Sequence, residues 1–432
     1  MPESEPEVSM TDTEALPAQL AARHPVTFLP DPEPVERRFT VVSVDDHLVE
    51  PPNVFQDRVP ANLREAAPRI VEVENGSQQW LFDGQLYPNV GLNAVVGRPR
   101  NEYLHEPARF DEMRRGAWDP VARLAEMDLD GVWASMCFPS LISGFAGRRL
   151  TLGPRDPALA FASFRAYNDW HLEEWVATDP ERLVPLQIPW LRDPEVAADE
   201  IRRNAARGFR AVSFPDIPHE LGLPSLHTGY WDPFFAACQD TDTAVCLHFG
   251  SADSTLRAAP DAHIHTAVVL TGFSAVVPAV DWLYSRVPVR FPGLKIILSE
   301  GGISWVAGLL DRLDHVDRHA EIVDLWSASG LTPAEVVQRN FWFCFLDDVT
   351  AFATRHRIGI ENILCEVDYP HADSSWPNTQ NMLADELRPL PDDEIEQVTW
   401  RNAANLLGLE VPAAVVATAL RARQAAWGRT PV

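Results

Sequence analysis

Several apolar runs in this chain end in residue types that bind cations through oxygen or nitrogen. VVSVDDHLVE carries Asp45 and His47, AVCLHFG carries His248, and NILCEVDYPH carries Asp368 with His371 beyond it. LKIILSEGG ends at Glu300, and FRAVSFPD ends at Asp216. Each residue alone is a weak signal. A lone histidine after an apolar run usually packs or hydrogen-bonds in place, and a strand-end aspartate usually caps a helix. The recurrence of acid and imidazole at several strand ends is what points to one site. In an extended strand side chains alternate faces with period two, so Ser43, Asp45 and His47 share one face and Val42, Val44 and Asp46 the other. The set offers nitrogen and oxygen but no thiolate, which suits Zn²⁺, Fe²⁺ or Mn²⁺. Such an ion lowers the pKa of bound water and polarises a carbonyl.

These residues need a scaffold that brings strand ends together. From Pro120 onward helices alternate with apolar strands: 120–129 before GVWASMCFPS, 158–178 before LVPLQIPW, 194–207 before FRAVSFPD, and 231–240 before AVCLHFG. The pattern continues with a helix in 275–290 before LKIILSEGG, 333–338 before FWFCFLDD, and 349–357 before NILCEVDYPH. The strand runs are almost continuously apolar, as expected of parallel strands covered on both faces. With the first strand at 39–44 this gives eight βα units, which predicts an α/β fold of the (β/α)₈ TIM-barrel type spanning 38–410. Its active site belongs at the C-terminal ends of the strands. A doubly wound sheet is disfavoured because no glycine-rich phosphate loop follows the first strand.

Residues 51–120 form an insertion after that strand. QQWLF, Asp83-Gly84 and QLYPNV read as a hairpin. The stretch 91–118 is basic and aromatic, with Arg98, Arg100, His105 and Arg109 as candidate anion contacts in a lid over the site. Residues 1–37, rich in Pro, Glu and Asp, read as a flexible acidic arm that could lie on a partner subunit, and 411–432 as a C-terminal helix and tail. His263 and His265 lie in a polar loop and read at most as substrate contacts. His315 and His319, one helical turn apart, read as a helix surface.

Lys and Arg number 36 against 62 Asp and Glu, a net charge of −26. So acidic a surface argues against nucleic acid or an anionic membrane as partner. It leaves room for a small carboxylic acid derivative at a cation-bearing site. The five cysteines show no CxxC spacing and read as reduced, buried thiols of a cytoplasmic protein. No apolar run approaches the ~18 residues of a membrane span, and the acidic start lacks the pattern of a signal peptide.

With DDH at 45–47, LHFG at 247–250, SEGG at 299–302, EVDYPH at 366–371 and RNAANLLGL at 401–409, the sequence resembles the amidohydrolase superfamily. More narrowly it resembles the branch holding metal-dependent decarboxylases of the aminocarboxymuconate-semialdehyde and resorcylate type. The resemblance implies a metal held by Asp45, His47, His248 and Asp368, with Asp368 also transferring the proton. Two departures stand out. The first strand carries Asp-x-His where His-x-His or Glu-x-His is usual, and Glu300 replaces the histidine of His-Gly-Gly. Glu300 could ligate, bridge two ions or act as a base, so one or two divalent ions per chain are expected. Glu366, two residues before Asp368, would support a ligand from behind.

The loss of the strand-six histidine favours a hydrolase acting on an ester, thioester, amide or lactone through a metal-activated water. Asp368 and Glu300 would be its catalytic groups, with His371 among the substrate contacts. The alternative is a non-oxidative decarboxylase of an aromatic or enoic acid. A homodimer or larger homo-oligomer is expected in either case.

Overall fold

The computed structural model describes residues 26–429 apart from 253–255, 257, 260, 320–323 and 328. The acidic stretch up to residue 25 therefore lies outside the described residues. The fold is α/β with parallel sheets. Strands β1 (Val42–His47), β2 (Arg69–Glu72), β3 (Gln78–Phe82), β4 (Gln85–Tyr87), β5 (Ala134–Phe138) and β6 (Leu183–Val184) come first. They are followed by β7 (Leu186–Gln187), β8 (Ala211–Ser213), β9 (Ala244–His248), β10 (Ile296–Ser299), β11 (Phe341–Phe345) and β12 (Ile363–Cys365).

Parallel ladders join β1-β5-β6 and β7-β8-β9-β10-β11-β12. The break between β6 and β7 falls at Pro185, which has no N–H to give to a ladder. Where the segment after β12 meets β1 the bonding is irregular. The Val367 N–H donates to Ser43 Oγ at 3.0 Å, that of Asp368 to the Asp45 carbonyl at 2.9 Å, and that of His47 to the Tyr369 carbonyl at 2.7 Å. These bonds pin the two chain segments that carry Asp45, His47 and Asp368. A small apolar cluster draws on every parallel strand, including Val42, Val44, Met136, Leu186, Ala211, Cys246, Ile297, Cys344 and Leu364. A larger core packs the helices against the outer strand faces, through Val245, Leu298, Phe343 and Ile363 among others.

Local sequence explains the helix starts. Asp119, Asp156 and Asp193 each stand before a proline and cap the next helix through the side-chain carboxylate (Pro120–Asp130, Pro157–Trp170 and Pro194–Ala205). Thr332, before Pro333, caps through its hydroxyl, which accepts the Glu335 N–H in a full capping box. Proline at the first helical position loses no bond there, and the capping oxygen satisfies an orphan N–H.

The insertion folds as the antiparallel sheet β2-β3-β4, with Asp83 and Gly84 both at positive φ in the β3–β4 turn. It is tied to the segment after β12, where the N–H groups of Val95 and Val96 both reach the Pro370 carbonyl, at 3.1 and 3.2 Å. Residues 26–37 lie along their own chain, with Leu29 bonded to Gly97 and Val35 to Leu129. The C-terminal helix Ala413–Trp427 packs down through Arg423, which is fully buried and bonds Glu396, Asp392 and the Arg38 carbonyl. All five cysteines are free and buried. Among the described residues no single helix is long and apolar enough to cross a membrane.

Candidate active site

β1 ends at His47 and β9 at His248, Glu300 directly follows β10, and Asp368 is the third residue beyond β12. Strict alternation along β1 fails, because its register against β5 shifts between Ser43 and Asp46. This bulge re-aims the strand end. Val42 and Val44 join the small apolar cluster, and Asp45 and His47 still meet at the site. Asp46 turns the other way, accepting the Tyr369 N–H at 3.0 Å and the Ser135 hydroxyl.

The two imidazoles face each other, with Nε2 of His47 3.1 Å from Nε2 of His248. His248 Nδ1 sits 2.8 Å from the Phe249 carbonyl. That bond places the ring hydrogen on Nδ1 and a lone pair on Nε2. Oxygens gather around these nitrogens. Asp368 Oδ1 is 3.2 Å and Asp45 Oδ1 3.6 Å from His47 Nε2, while Glu300 Oε2 is 2.9 Å and Asp45 Oδ2 3.8 Å from His248 Nε2. Neighbouring ligands of an ion with bonds of ~2.1 Å are separated by about 3.0–3.4 Å, so the set has the size of a coordination sphere. Both carboxylate oxygens of Asp45 and both of Asp368 are buried without a hydrogen bond. Bare buried oxygens are costly unless a cation compensates them. The residues thus fit a divalent ion.

Burial dominates the electrostatics. It pushes the carboxyls of Asp45, Glu300 and Asp368 well above the usual range, with mutual repulsion adding to it. Burial also drives His47 well below its ordinary value, His248 down to about 4 and His371 to about 3. All three imidazoles are therefore neutral near pH 7, the form that ligates metal.

His371 stacks on His47 with ring centroids 3.8 Å apart, and its Nδ1 is 3.0 Å from Asp368 Oδ1. Glu366 accepts the backbone N–H of Glu300 at 3.0 Å. Glu300 and Asp368 both hold φ at 55°, a left-handed conformation that non-glycine residues enter at a cost. In the SEGG run a Cβ on Gly301 would lie 2.4 Å from the Ala275 Cβ, so only glycine fits the turn that presents Glu300.

Three neighbours of the site carry little sequence signal. Phe145 lies 4.2 Å from the His248 ring and 4.9 Å from the His47 ring, forming an apolar wall, and nothing in its loop marks it. Arg123, buried on a helix face, donates to the His47 carbonyl, the Gly116 carbonyl and Cys137 Sγ. It shares the buried face of its helix with Glu126, Met127 and Asp130, so the sequence pattern does not single it out. Asp373 brings a carboxylate oxygen into one cluster with Glu300 and Asp368, their ligand atoms all within 4.8 Å.

Asp216 accepts from Ser251 Oγ at 3.0 Å and the Ala252 N–H at 2.9 Å, steadying the loop after β9. Arg98 is buried and donates to the carbonyls of His105 and Glu112, and Arg109 bonds Glu72, Asp111 and the Gly76 carbonyl. These guanidinium groups make their hydrogen bonds within residues 72–112. Arg100 lies in a short 3₁₀ turn with no buried residue, and His105 sits beside it in the same loop. His263 is exposed and stacks on His265, while His315 and His319 stack on a helix surface.

The amidohydrolase family model matches residues 99–409. The chain belongs to the amidohydrolase family. No curated protein matches it. Among solved structures it resembles an amidohydrolase of Mycobacterium avium subsp. paratuberculosis K-10, at 20% identity and a TM-score of 0.65, covering 86% of this chain and 99% of that one. It also resembles the 5-carboxyvanillate decarboxylase LigW of Sphingomonas paucimobilis, at 22% identity and a TM-score of 0.57, over 86% of this chain and 100% of that one. A third is the 5-carboxyvanillate decarboxylase of Novosphingobium aromaticivorans DSM 12444, complexed with manganese and a nitrobenzoic acid. It is 15% identical with a TM-score of 0.59, over 89% of this chain and 100% of that one. At these identities the likeness speaks for the shared fold of the family.

Proposed function

We propose that this amidohydrolase-family chain is a metal-dependent decarboxylase of an aromatic or enoic carboxylic acid. Residues 38–410 would close as a (β/α)₈ barrel, with the 51–120 insertion as a lid over its mouth. The small apolar cluster drawn from every parallel strand supports closure, and the Val95 and Val96 bonds to Pro370 support the lid. The observation that carries the chemistry is Asp368, whose Oδ1 stands between His47 Nε2 at 3.2 Å and His371 Nδ1 at 3.0 Å. Two of the similar solved structures are 5-carboxyvanillate decarboxylases, one holding manganese. They favour decarboxylation over the hydrolysis expected from the sequence.

Asp45, His47, His248 and Asp368 would hold the ion, with Glu300 beside His248. Mn²⁺, Zn²⁺ and Fe²⁺ all suit two imidazoles and carboxylates. When bound, a divalent ion supplies positive charge that anchors the substrate carboxylate and stabilises the charge left on carbon. Phe145 would pack against the ring or unsaturated chain and exclude water. Asp368, as the carboxylic acid, hands its proton to the carbon that carried the carboxylate. The C–C bond breaks, its electron pair becomes the new C–H bond, and CO₂ leaves. His371, in contact with Asp368, is placed to help return a proton to it from solvent.

Manganese-loaded protein should release CO₂ from members of a panel of hydroxybenzoic and enoic acids, and His248→Ala should abolish both metal retention and release. Hydrolysis of ester or lactone substrates without CO₂ release from any acid would overturn this reading.

A further inference from the structure

We propose that Glu50, a carboxylate outside the cation-binding set, is a positioning residue that holds Ser143 and thereby fixes Phe145 against the His47 and His248 imidazoles. The proposal rests on the reading above, in which Phe145 packs against the substrate and excludes water.

Glu50 is set firmly beyond the end of the strand that carries His47. The Leu48 N–H donates to the Phe138 carbonyl at 2.9 Å and the Val49 N–H to the Ala117 carbonyl at 2.8 Å. Pro51 follows and biases the Glu50 backbone toward extended conformations. The side chain is fully buried, and its Oε1 accepts the Ser143 N–H at 3.2 Å. One chain segment thus supplies a candidate ligand imidazole and, shortly after it, an anchor for the wall of the site.

The loop 139–147 needs that anchor. Gly144 and Gly147 flank Phe145 and Ala146, both at φ 71°, where glycine leaves the backbone freer than other residues would. On the β8 side the Ser213 hydroxyl donates to the Phe145 carbonyl at 2.6 Å. Glu50 grips the same loop from the β1 side. Every residue from 139 to 147 is buried except Phe145. Its ring lies 4.2 Å from that of His248, 4.9 Å from that of His47 and 6.3 Å from that of His371, centroid to centroid.

Stability alone does not account for a carboxyl at position 50. Its Oε2 is buried without a hydrogen bond. Burial pushes the carboxyl up to about 7, against the hydrogen bonds that lower it. A buried carboxylate with an unsatisfied oxygen costs more than an apolar side chain of similar volume. What the carboxyl provides is an acceptor aimed at Ser143, which no apolar residue offers. Its neutral form is within reach near pH 7, so a carboxamide is a fair replacement.

Replacing Phe145 by 4-fluorophenylalanine reports on the wall directly. Full-length wild type, Glu50→Gln and Glu50→Ala are compared by fluorine NMR, metal-free and loaded with Zn²⁺. Wild type and Glu50→Gln should give one narrow line at the same shift, and Glu50→Ala a shifted line that is broadened or split. In unlabelled, manganese-loaded protein, Glu50→Ala should lower kcat for CO₂ release by about 10–100-fold and Glu50→Gln by less than about threefold. Added to Phe145→Ala, Glu50→Ala should cost less than about twofold more, because the wall it holds is gone. If Glu50→Ala fails to fold, Glu50→Asp takes its place in every arm, its carboxylate one methylene short of Ser143. A fluorine line unchanged in Glu50→Ala, or a loss that multiplies with that of Phe145→Ala, overturns the positioning role. Wild type that releases no CO₂ while the fluorine lines move as expected overturns the decarboxylase reading and leaves the tether standing.

Discussion

Glu366 holds Glu300 from behind, its carboxylate accepting the Glu300 backbone N–H at 3.0 Å. The bond runs from the segment after β12 to the end of β10, and it meets Glu300 where φ is 55°. A left-handed glutamate persists only if its surroundings over-determine it. Glu366→Ala should free that turn, weaken metal binding by about 10–100-fold and lower kcat. Glu366→Gln keeps an acceptor oxygen and should recover most of both. Equal losses in the two variants would show that the charge of Glu366 matters and that the bond to Glu300 does not.

Glu300 itself faces the lone pair of His248 Nε2 at 2.9 Å. An ionised oxygen and a lone pair at that distance repel unless a proton or a cation lies between them. Glu300→Gln preserves shape and removes charge. It should weaken manganese binding by at least about tenfold and shift the pH–rate profile. Unchanged affinity and an unchanged profile would make Glu300 a packed carboxyl that takes no part in the site.

Much of this arrangement can be read from the sequence because it lies where a physical pattern breaks. Asp45, His47, His248 and Glu300 each interrupt or end an apolar strand, and Asp-Pro or Thr-Pro pairs mark four helix starts. What cannot be read depends on register and on which way a long side chain turns. The β1 bulge has no glycine to announce it. Composition places Arg98 on a basic surface, and only the folded insertion shows its guanidinium buried between carbonyls. Phe145 belongs to a loop whose path is set by contacts distant in the chain, such as its carbonyl accepting from Ser213 Oγ at 2.6 Å.

Arg98 accordingly becomes a stability residue. Its side chain donates to the His105 carbonyl at 2.7 Å and to the Glu112 carbonyl, and burial pushes its pKa down. Arg98→Ala leaves two acceptors without their charged donor and should cost about 2–4 kcal/mol. Tm should fall while KM for an anionic substrate changes less than about twofold. A large rise in KM at unchanged Tm would restore the anion-contact role.

His171 gives the acid limb of stability a specific source. The residue is fully buried, its Nε2 accepts the Leu186 N–H at 3.3 Å beside the Pro185 break, and burial lowers its pKa to about 3. In the unfolded chain a histidine titrates near ~6.5. Between these values the unfolded state binds a proton that the folded state refuses, so stability falls as pH drops from about 6.5 toward 3. The full drop is on the order of 4–5 kcal/mol at ~1.4 kcal/mol per pH unit. The carboxamide of His171→Gln can still accept the Leu186 N–H but takes up no proton. Urea unfolding at pH 7, 6, 5 and 4 should show wild type losing stability faster than His171→Gln, by close to one proton's slope below pH 6. The difference between the two curves cancels the carboxylates that titrate in both proteins. Parallel curves would mean that the acid sensitivity of the fold comes from groups other than His171.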